Sequence, residues 1–242
     1  MHRFISLASH PGKTGTYFYN RFFNDFQLTG HHYTALACVD LQSTINTEIA
    51  QGHLCGISIS MPFKKTIIPL LNKVDDSVKQ HNTCNTVLVD NGKLIGYNAD
   101  LAGAEHVLSM INDNDRVTIL GNGSIGSMIH RMINGRATMF SRSLGNWEER
   151  HQPADVIINA TAAGTSIPES PLEMIPGSRL VIDLATKPGS LANQCLTTGT
   201  DYVGGLIFYK YQFIRQFNIY TGISIDPNEF DRLEKELTHG TT

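Results

Sequence analysis

Val117-Thr118-Ile119-Leu120-Gly121-Asn122-Gly123-Ser124-Ile125-Gly126 is the stretch on which the fold of this 242-residue chain turns. Four apolar or β-branched residues read as a buried strand. A G-x-G-x-x-G run follows, and Ser127–Ile133 has the apolar spacing of a helix. A glycine triplet by itself marks only a loop. Set between a strand and a helix it is the dinucleotide fingerprint, because glycine lets the backbone approach a pyrophosphate and the helix N-terminus offers unpaired N–H groups. The bland alternative is a tight strand–helix turn that binds nothing.

Downstream, Ala137–Phe140, Val156–Ala160 and Leu180–Leu184 read as further buried strands alternating with helical stretches, the pattern of parallel βαβ units. About twenty residues past the first glycine, an NAD site places an acid against the ribose hydroxyls. This chain instead has Ser141-Arg142-Ser143 there. A guanidinium between two hydroxyls suits a ribose 2′-phosphate, so the missing acid and the present base together point to NADP. A solvated surface arginine is the alternative. Trp147 with Glu148-Glu149-Arg150 reads as a solvated helix face. Leu206–Tyr220 and Pro227–Leu237 read as helices.

Upstream, Phe4–Ala8, His32–Ala37 and Gly56–Ile59 read as strands, with helices over Tyr17–Phe26 and Leu41–Ala50 and a loop from Ser9 to Thr16. Phe18, Phe22, Phe23 and Phe26 share one helical face and are read as core. Thr86–Val89 and Leu94–Tyr97 flank Asp90-Asn91-Gly92, a hairpin signal. Leu101–Ile111 reads as a helix, and the change of pattern at Asp100 marks a domain boundary. The fold class expected is α/β in two domains, the first with a mixed sheet.

Nineteen Lys and Arg against 22 Asp and Glu give a net charge of −3, with 41% hydrophobic and 17% charged residues. That balance excludes a disordered chain and argues against nucleic acid or an anionic membrane surface as partner. Cys38, Cys55, Cys84 and Cys195 lack the paired spacing of a zinc or redox site, so reduced thiols, no metal and a cytoplasmic location are expected. His31-His32 reads as a surface or turn pair rather than a metal site. No segment has the length of a signal peptide core or a membrane span.

A second constellation lies in the first hundred residues. Ser58-Ile59-Ser60-Met61-Pro62-Phe63-Lys64-Lys65 ends a strand at a proline and presents a lysine. Asn82-Thr83-Cys84-Asn85-Thr86 and Gly96-Tyr97-Asn98-Ala99-Asp100 follow. An ammonium, two amides and a carboxylate could converge on a polyhydroxylated anionic small molecule. Taken alone, Lys64 and Lys65 are more often solvated charges and Asp100 more often a helix N-cap before Leu101.

These segments, in this order, resemble the shikimate dehydrogenase family. SISMPFK (Ser58–Lys64) looks like its strand-end N-V-[ST]-x-P-x-K segment, and Asn85-Thr86 and Gly96–Asp100 like its A-x-N-T and G-x-N-T-D. The glycine loop, Ser141-Arg142-Ser143, Asn159-Ala160-Thr161-Ala162-Ala163-Gly164 and the pair Gly205/Gln212 then follow. The resemblance runs from about Leu7 to Thr221. It implies a substrate-binding and catalytic domain over residues 1–100 plus 208–242 and a Rossmann-type NADP-binding domain over 101–207. It also implies reversible NADP-dependent reduction of 3-dehydroshikimate to shikimate, a step of aromatic amino acid biosynthesis leading to chorismate. Lys64 and Asp100 are then the catalytic pair, and Thr14, Thr16, Ser60, Asn85 and Gln212 hold substrate. Gly121, Asn122, Gly123, Ser124, Ile125, Gly126, Ser141, Arg142, Ser143, Thr161, Gly205 and Phe208 hold the cofactor.

The chain departs from the family pattern at several points. The S-x-S-P hydroxyls are Thr14 and Thr16 with Tyr17 in place of proline; Thr186 stands for the tyrosine of Y-x-P before Lys187-Pro188; Ala99 replaces a threonine and Phe208 a methionine. The pattern is closest to the shikimate dehydrogenase-like (quinate/shikimate) branch. Quinate or another cyclic hydroxy acid is the rival substrate, and a non-catalytic ligand or nucleotide sensor the rival class. Monomer and homodimer both stay open.

Overall fold

β1 (His2–Ala8) carries Phe4, Ile5, Leu7 and Ala8 inside, the near-continuous burial of a central parallel strand covered on both faces. The computed structural model describes residues 1–161, 175–185 and 189–239. After β1 come α1 (Thr14–Asp25), β2 (His31–Ala37), α2 (Leu41–Ala50), β3 (Leu54–Ile59), β4 (Lys73–Val74), α3 (Asp76–His81), β5 (Thr86–Asp90) and β6 (Lys93–Tyr97). Next are α4 (Asp100–Leu108), β7 (Val117–Leu120), α5 (Ser124–Met132), β8 (Ala137–Phe140), β9 (Val156–Asn159), β10 (Leu180–Asp183), α6 (Ser190–Thr198), β11 (Asp201–Gly204), α7 (Leu206–Thr221) and α8 (Pro227–His239).

Residues 1–99 with 213–242 form one unit and residues 100–212 a second, so the division falls inside α7. The first unit holds a six-stranded sheet in the order β2-β1-β3-β5-β6-β4. β1 pairs parallel with β2 and β3, the β5–β6 hairpin runs antiparallel to β3, and β4 joins β6 in parallel. One core is aliphatic, around Ile5, Leu7, Ile57, Ile59, Ile67 and Val87. A second group is aromatic. Phe18, Tyr19, Phe22 and Phe23 of α1 meet Phe213, Phe217 and Phe230 of α7 and α8, with Phe18 stacked on Phe230 at 4.4 Å. Burying each such ring contributes about 1.5–3 kcal/mol.

This aromatic face explains why α1 begins at Thr14, three residues before the helix read from the sequence. Lys13 caps it without any side-chain hydrogen bond, so burial of the helix face rather than a capping signal sets its start. The stretch read as a loop to Thr16 therefore ends at Lys13. Phe26 lies at the C-terminal cap, half buried. His31 is also no simple surface residue, since its ring stacks on His2 at 4.4 Å and on Phe4 at 5.8 Å.

The second unit has an all-parallel sheet in the order β11-β10-β9-β7-β8. Counted within the unit this is 5-4-3-1-2, a doubly wound Rossmann-type sheet whose order reverses between β7 and β9. The strands expected at Val117, Ala137, Val156 and Leu180 are present. α6, β11 and the two-residue β4 had no reading in the sequence. Trp147 and Arg150 correct the expectation of a solvated helix face. Trp147 is 8% exposed and Arg150 4%, in a short turn packed on Leu120, Phe140 and Ile157.

Candidate functional site

In the second unit the site begins with its glycines. Gly121 has φ +97°, a left-handed conformation that a side chain resists, and a Cβ there would lie 2.8 Å from the carbonyl oxygen of Ala160. At Gly126 a Cβ would fall on the carbonyl of Gly121, so this glycine lets α5 close onto the strand turn. At Gly123 nothing lies within 4 Å. Two glycines thus serve packing, and the third leaves open space at the N-terminus of α5, which has no side-chain cap. Unpaired N–H groups beside open space are what a pyrophosphate requires. The loop lies at the C-terminal ends of β7 and β9, where the strand order reverses. Asn122, Ser124 and Ile125 are its remaining positions.

The turn after β8 is tied to this loop. Ser143 Oγ donates to Asn122 Oδ1 at 2.8 Å and lies 3.2 Å from Ser141 Oγ, which accepts from Leu144 N. Asn146 fastens the turn to β8, accepting from Ser141 N and donating to the carbonyl of Met139. Arg142 opens the turn and is exposed, with its guanidinium carbon 5.9 Å from the Trp147 ring.

After β9, Thr161 donates its hydroxyl to Asn159 Oδ1 at 2.7 Å, and Asn159 Nδ2 donates to Asp183 Oδ1 at 2.8 Å. Tyr202 donates to the other oxygen of Asp183. Burial and the Asp183 charge push the Tyr202 hydroxyl far above its ordinary pKa, so it stays a donor. Ala162, Ala163 and Gly164, with Thr186, Lys187 and Pro188, lie outside the described residues. Gly205 turns β11 into α7, and a Cβ there would meet the carbonyls of Leu184 and Ala185 at 2.5 Å. Phe208 is buried in the core of this unit and packs on Gly103 of α4. Asp100 is the first residue of α4 rather than a cap outside it, and it is buried, as is Gln212 on α7.

In the first unit the site residues gather at one end of the sheet. β1 and β3 end there, and β5, running antiparallel, begins there. Thr14 and Thr16 lie in the first turn of α1, half buried. Ser60 is exposed in the turn after β3, next to a cis Met61–Pro62 bond, and Lys64 is half buried beyond it. The carbonyl of Lys64 accepts from Cys84 N at 2.8 Å, and that of Asn85 accepts from Ile59 N at 2.8 Å, holding these segments side by side. Asn85 Oδ1 accepts from Ala99 N and from the Thr86 hydroxyl.

Behind Asn85 stands a residue that no motif singles out. Gln216 accepts from Tyr19 OH at 2.8 Å and Ser58 Oγ at 3.1 Å, and donates to Asn85 O at 3.0 Å and Thr86 Oγ1 at 2.7 Å. All four of its hydrogen-bonding positions serve the fold. Only its spacing of four from Gln212 on one helix could have drawn notice.

The two units define a class, a mixed-sheet α/β domain paired with a doubly wound dinucleotide-type domain. Residues 15–87 match the family model for the shikimate dehydrogenase substrate binding domain. The chain is 25% identical over 268 aligned residues to the shikimate dehydrogenase (NADP(+)) of Streptococcus pneumoniae strain JJA, covering 94% of each protein. Among solved structures, a shikimate 5-dehydrogenase-like protein matches with a TM-score of 0.78 at 22% identity, over 93% of both chains. The Thermus thermophilus shikimate 5-dehydrogenase in complex with NADP(H) and shikimate matches with a TM-score of 0.76 at 20% identity, over 94% of this chain and 96% of that one. Over 94% of its length the chain is thus similar in sequence to a shikimate dehydrogenase, and it shares the fold of the solved ones. No helix among the described residues is long and apolar enough to cross a membrane.

Proposed function

We propose that the protein is an NADP-dependent oxidoreductase of the shikimate dehydrogenase type, interconverting 3-dehydroshikimate and shikimate. The observation that carries this reading is the pairing of two features. One is an open glycine turn at the reversal point of a parallel sheet, followed by Arg142 where NAD sites hold an acid. The other is a cluster of Thr14, Thr16, Ser60, Lys64 and Asn85 at one end of the mixed sheet. The relatives named above carry the same activity in their names. The first unit is the substrate domain in this reading and the second the cofactor domain.

Gly121–Gly126 would hold the pyrophosphate, Ser141, Arg142 and Ser143 the 2′-phosphate, and Thr161, Gly205 and Phe208 the nicotinamide end. Bound there, NADPH supplies a hydride to the ring carbonyl. Lys64 stabilises negative charge developing on the carbonyl oxygen and donates the proton that completes the alcohol, with Asp100 as its partner. Asn85, whose side-chain carbonyl oxygen accepts from Thr86 and Ala99, faces a ring hydroxyl in this reading. Gln212 takes a second hydroxyl, and Thr14, Thr16 and Ser60 the carboxylate.

Quinate is the second substrate to weigh, because Tyr17 and Ala99 replace a proline and a threonine of the family pattern. The test is the absorbance of reduced nicotinamide when purified protein receives shikimate or quinate with NADP or NAD. Turnover of shikimate with NADP at the highest kcat/KM supports the proposal. NADP binding without turnover of either acid would return the protein to the sensor class.

A further inference from the structure

Arg142 has a neighbour that the cofactor reading does not use. Trp147 lies in the next turn, fixed against Leu120, Phe140, Ala154 and Ile157. Two guanidinium groups sit over its ring, Arg142 at 5.9 Å and Arg150 at 4.7 Å from the centroid. Six ångströms is about the limit at which a cation gains from a ring quadrupole, so Arg150 is held firmly and Arg142 at the edge of that attraction. Arg150 is almost fully buried and donates Nη1 to the carbonyl of Trp147 at 2.8 Å. Its Nε has no hydrogen-bond partner among the described residues, and its acidic contact, Glu148, is 3.4 Å away with the carboxylate side chain 89% exposed. Two cations thus gather on one aromatic ring with a single weakly placed acid. A dianionic phosphate is the counter-charge such a site lacks.

We infer that Trp147 is a positioning residue for the 2′-phosphate, its ring carrying Arg142 at the mouth of the site while Arg150 locks the ring from inside. The bond from Ser143 to Asn122 and the two Asn146 bonds fix the same turn to the glycine loop and to β8, so Arg142 keeps its distance from the pyrophosphate turn. A mobile arginine would attract either cofactor through charge alone. A held one favours the cofactor that carries the extra phosphate. The inference rests on the NADP reading and adds the residue that gives it selectivity.

Trp147 is the sole tryptophan of the chain, so its emission reports this site directly. The experiment titrates the full-length protein with 2′,5′-ADP and with 5′-AMP, by tryptophan fluorescence and by calorimetry. It then repeats the calorimetry, with NADP and NAD added, on Trp147→Phe and Trp147→Leu. Expected are a saturable emission change with 2′,5′-ADP and almost none with 5′-AMP. Trp147→Leu should bind 2′,5′-ADP about two- to fivefold more weakly, with 5′-AMP unchanged and Trp147→Phe restoring most of the loss. Equal emission responses to both nucleotides, or equal losses for both in either variant, would overturn the inference while leaving the NADP reading intact. The emission titration needs no variant, so 2′,5′-ADP against 5′-AMP on the parent decides the matter even if Trp147→Leu does not fold. Failure of the parent protein to bind 2′,5′-ADP or NADP at all would overturn the cofactor reading, and this inference with it.

Discussion

In the proposed reading the two units would present polar groups to a ligand in opposite ways. In the second, the recognising groups are mainly backbone N–H, and their positions follow from one strand, one glycine turn and one helix contiguous in sequence. In the first, the groups are side chains from separate turns, held by a buried web behind them in which Gln216 makes four hydrogen bonds. A backbone site depends on the absence of side chains at a few positions. A side-chain site depends on residues that never touch the ligand. The first unit should therefore be the more fragile to polar substitution and the second to added bulk.

The largest effect that bears on this contrast is expected at Lys64. Lys64→Ala should lower kcat about 10²–10⁴-fold with a smaller change in substrate affinity, while Lys65→Ala, its exposed neighbour, should be close to silent. Asp100→Asn should be severe as well, and the double variant little worse than Lys64→Ala, because groups acting as a unit are not additive. Steady-state kinetics on the four variants decides this. A Lys64→Ala enzyme with parental kcat would remove the catalytic side-chain site from the first unit.

Next comes the web itself. Gln216→Leu strands four buried partners and should cost about 3 kcal/mol of stability, read from the midpoint of urea unfolding. Gln212→Leu, one helical turn earlier, should leave that midpoint nearly unmoved and raise KM for the hydroxy acid. If both variants unfold alike, the division between supporting and contacting residues fails. In the second unit, Arg142→Ala should weaken NADP by about 1.5–3 kcal/mol and leave NAD nearly unchanged, measured by calorimetry.

The smallest effect is a pH effect on the second unit. Arg116 bonds Asp155 through its side chain and backbone and holds that carboxyl down at about 2, and the Arg179 side chain, with the backbone N–H of Asn112, lowers Asp115. Both folded pKa values lie below the unfolded ones. The stabilisation is complete above about pH 4 and disappears as pH falls toward 2. Both carboxylates are partly buried but pair with exposed arginines, so the loss should be slight and screened by salt. Arg116→Ala should flatten the acid limb of a stability–pH profile, and an unchanged profile would show that the pair contributes nothing.

Legibility in the sequence follows the same contrast. The turn from β7 to α5 could be read from Val117–Gly126 because strand, glycines and helix are local, and each constraint lies within ten residues. The expected strands of both sheets were legible from runs of Ile, Val, Leu and Phe. The start of α1 was not, because Thr14–Thr16 carries no capping signal and is drawn into the helix by Phe18 and Phe22, whose partners Phe213 and Phe230 lie some two hundred residues away. Trp147 and Arg150 were misread for a related reason. Two glutamates beside them gave the turn a solvated look, and nothing in the order Trp-Glu-Glu-Arg says that the ring and the guanidinium fold inward together. α6 has only Leu191 and Cys195 buried, too thin an apolar pattern to read.

The shared helix α7 bears on how the chain is born. The first sheet is translated before the second unit, but the rings that cover its α1 face, Phe213, Phe217, Tyr220 and Phe230, only after it. All of the second unit is synthesised in between, at about 5–20 residues per second. For that interval Phe18, Phe22 and Phe23 have their neighbours Tyr17, Phe26, Phe4 and His31 but lack the rings of α7 and α8 that complete their cover. The unit whose synthesis starts first is thus the last able to finish packing.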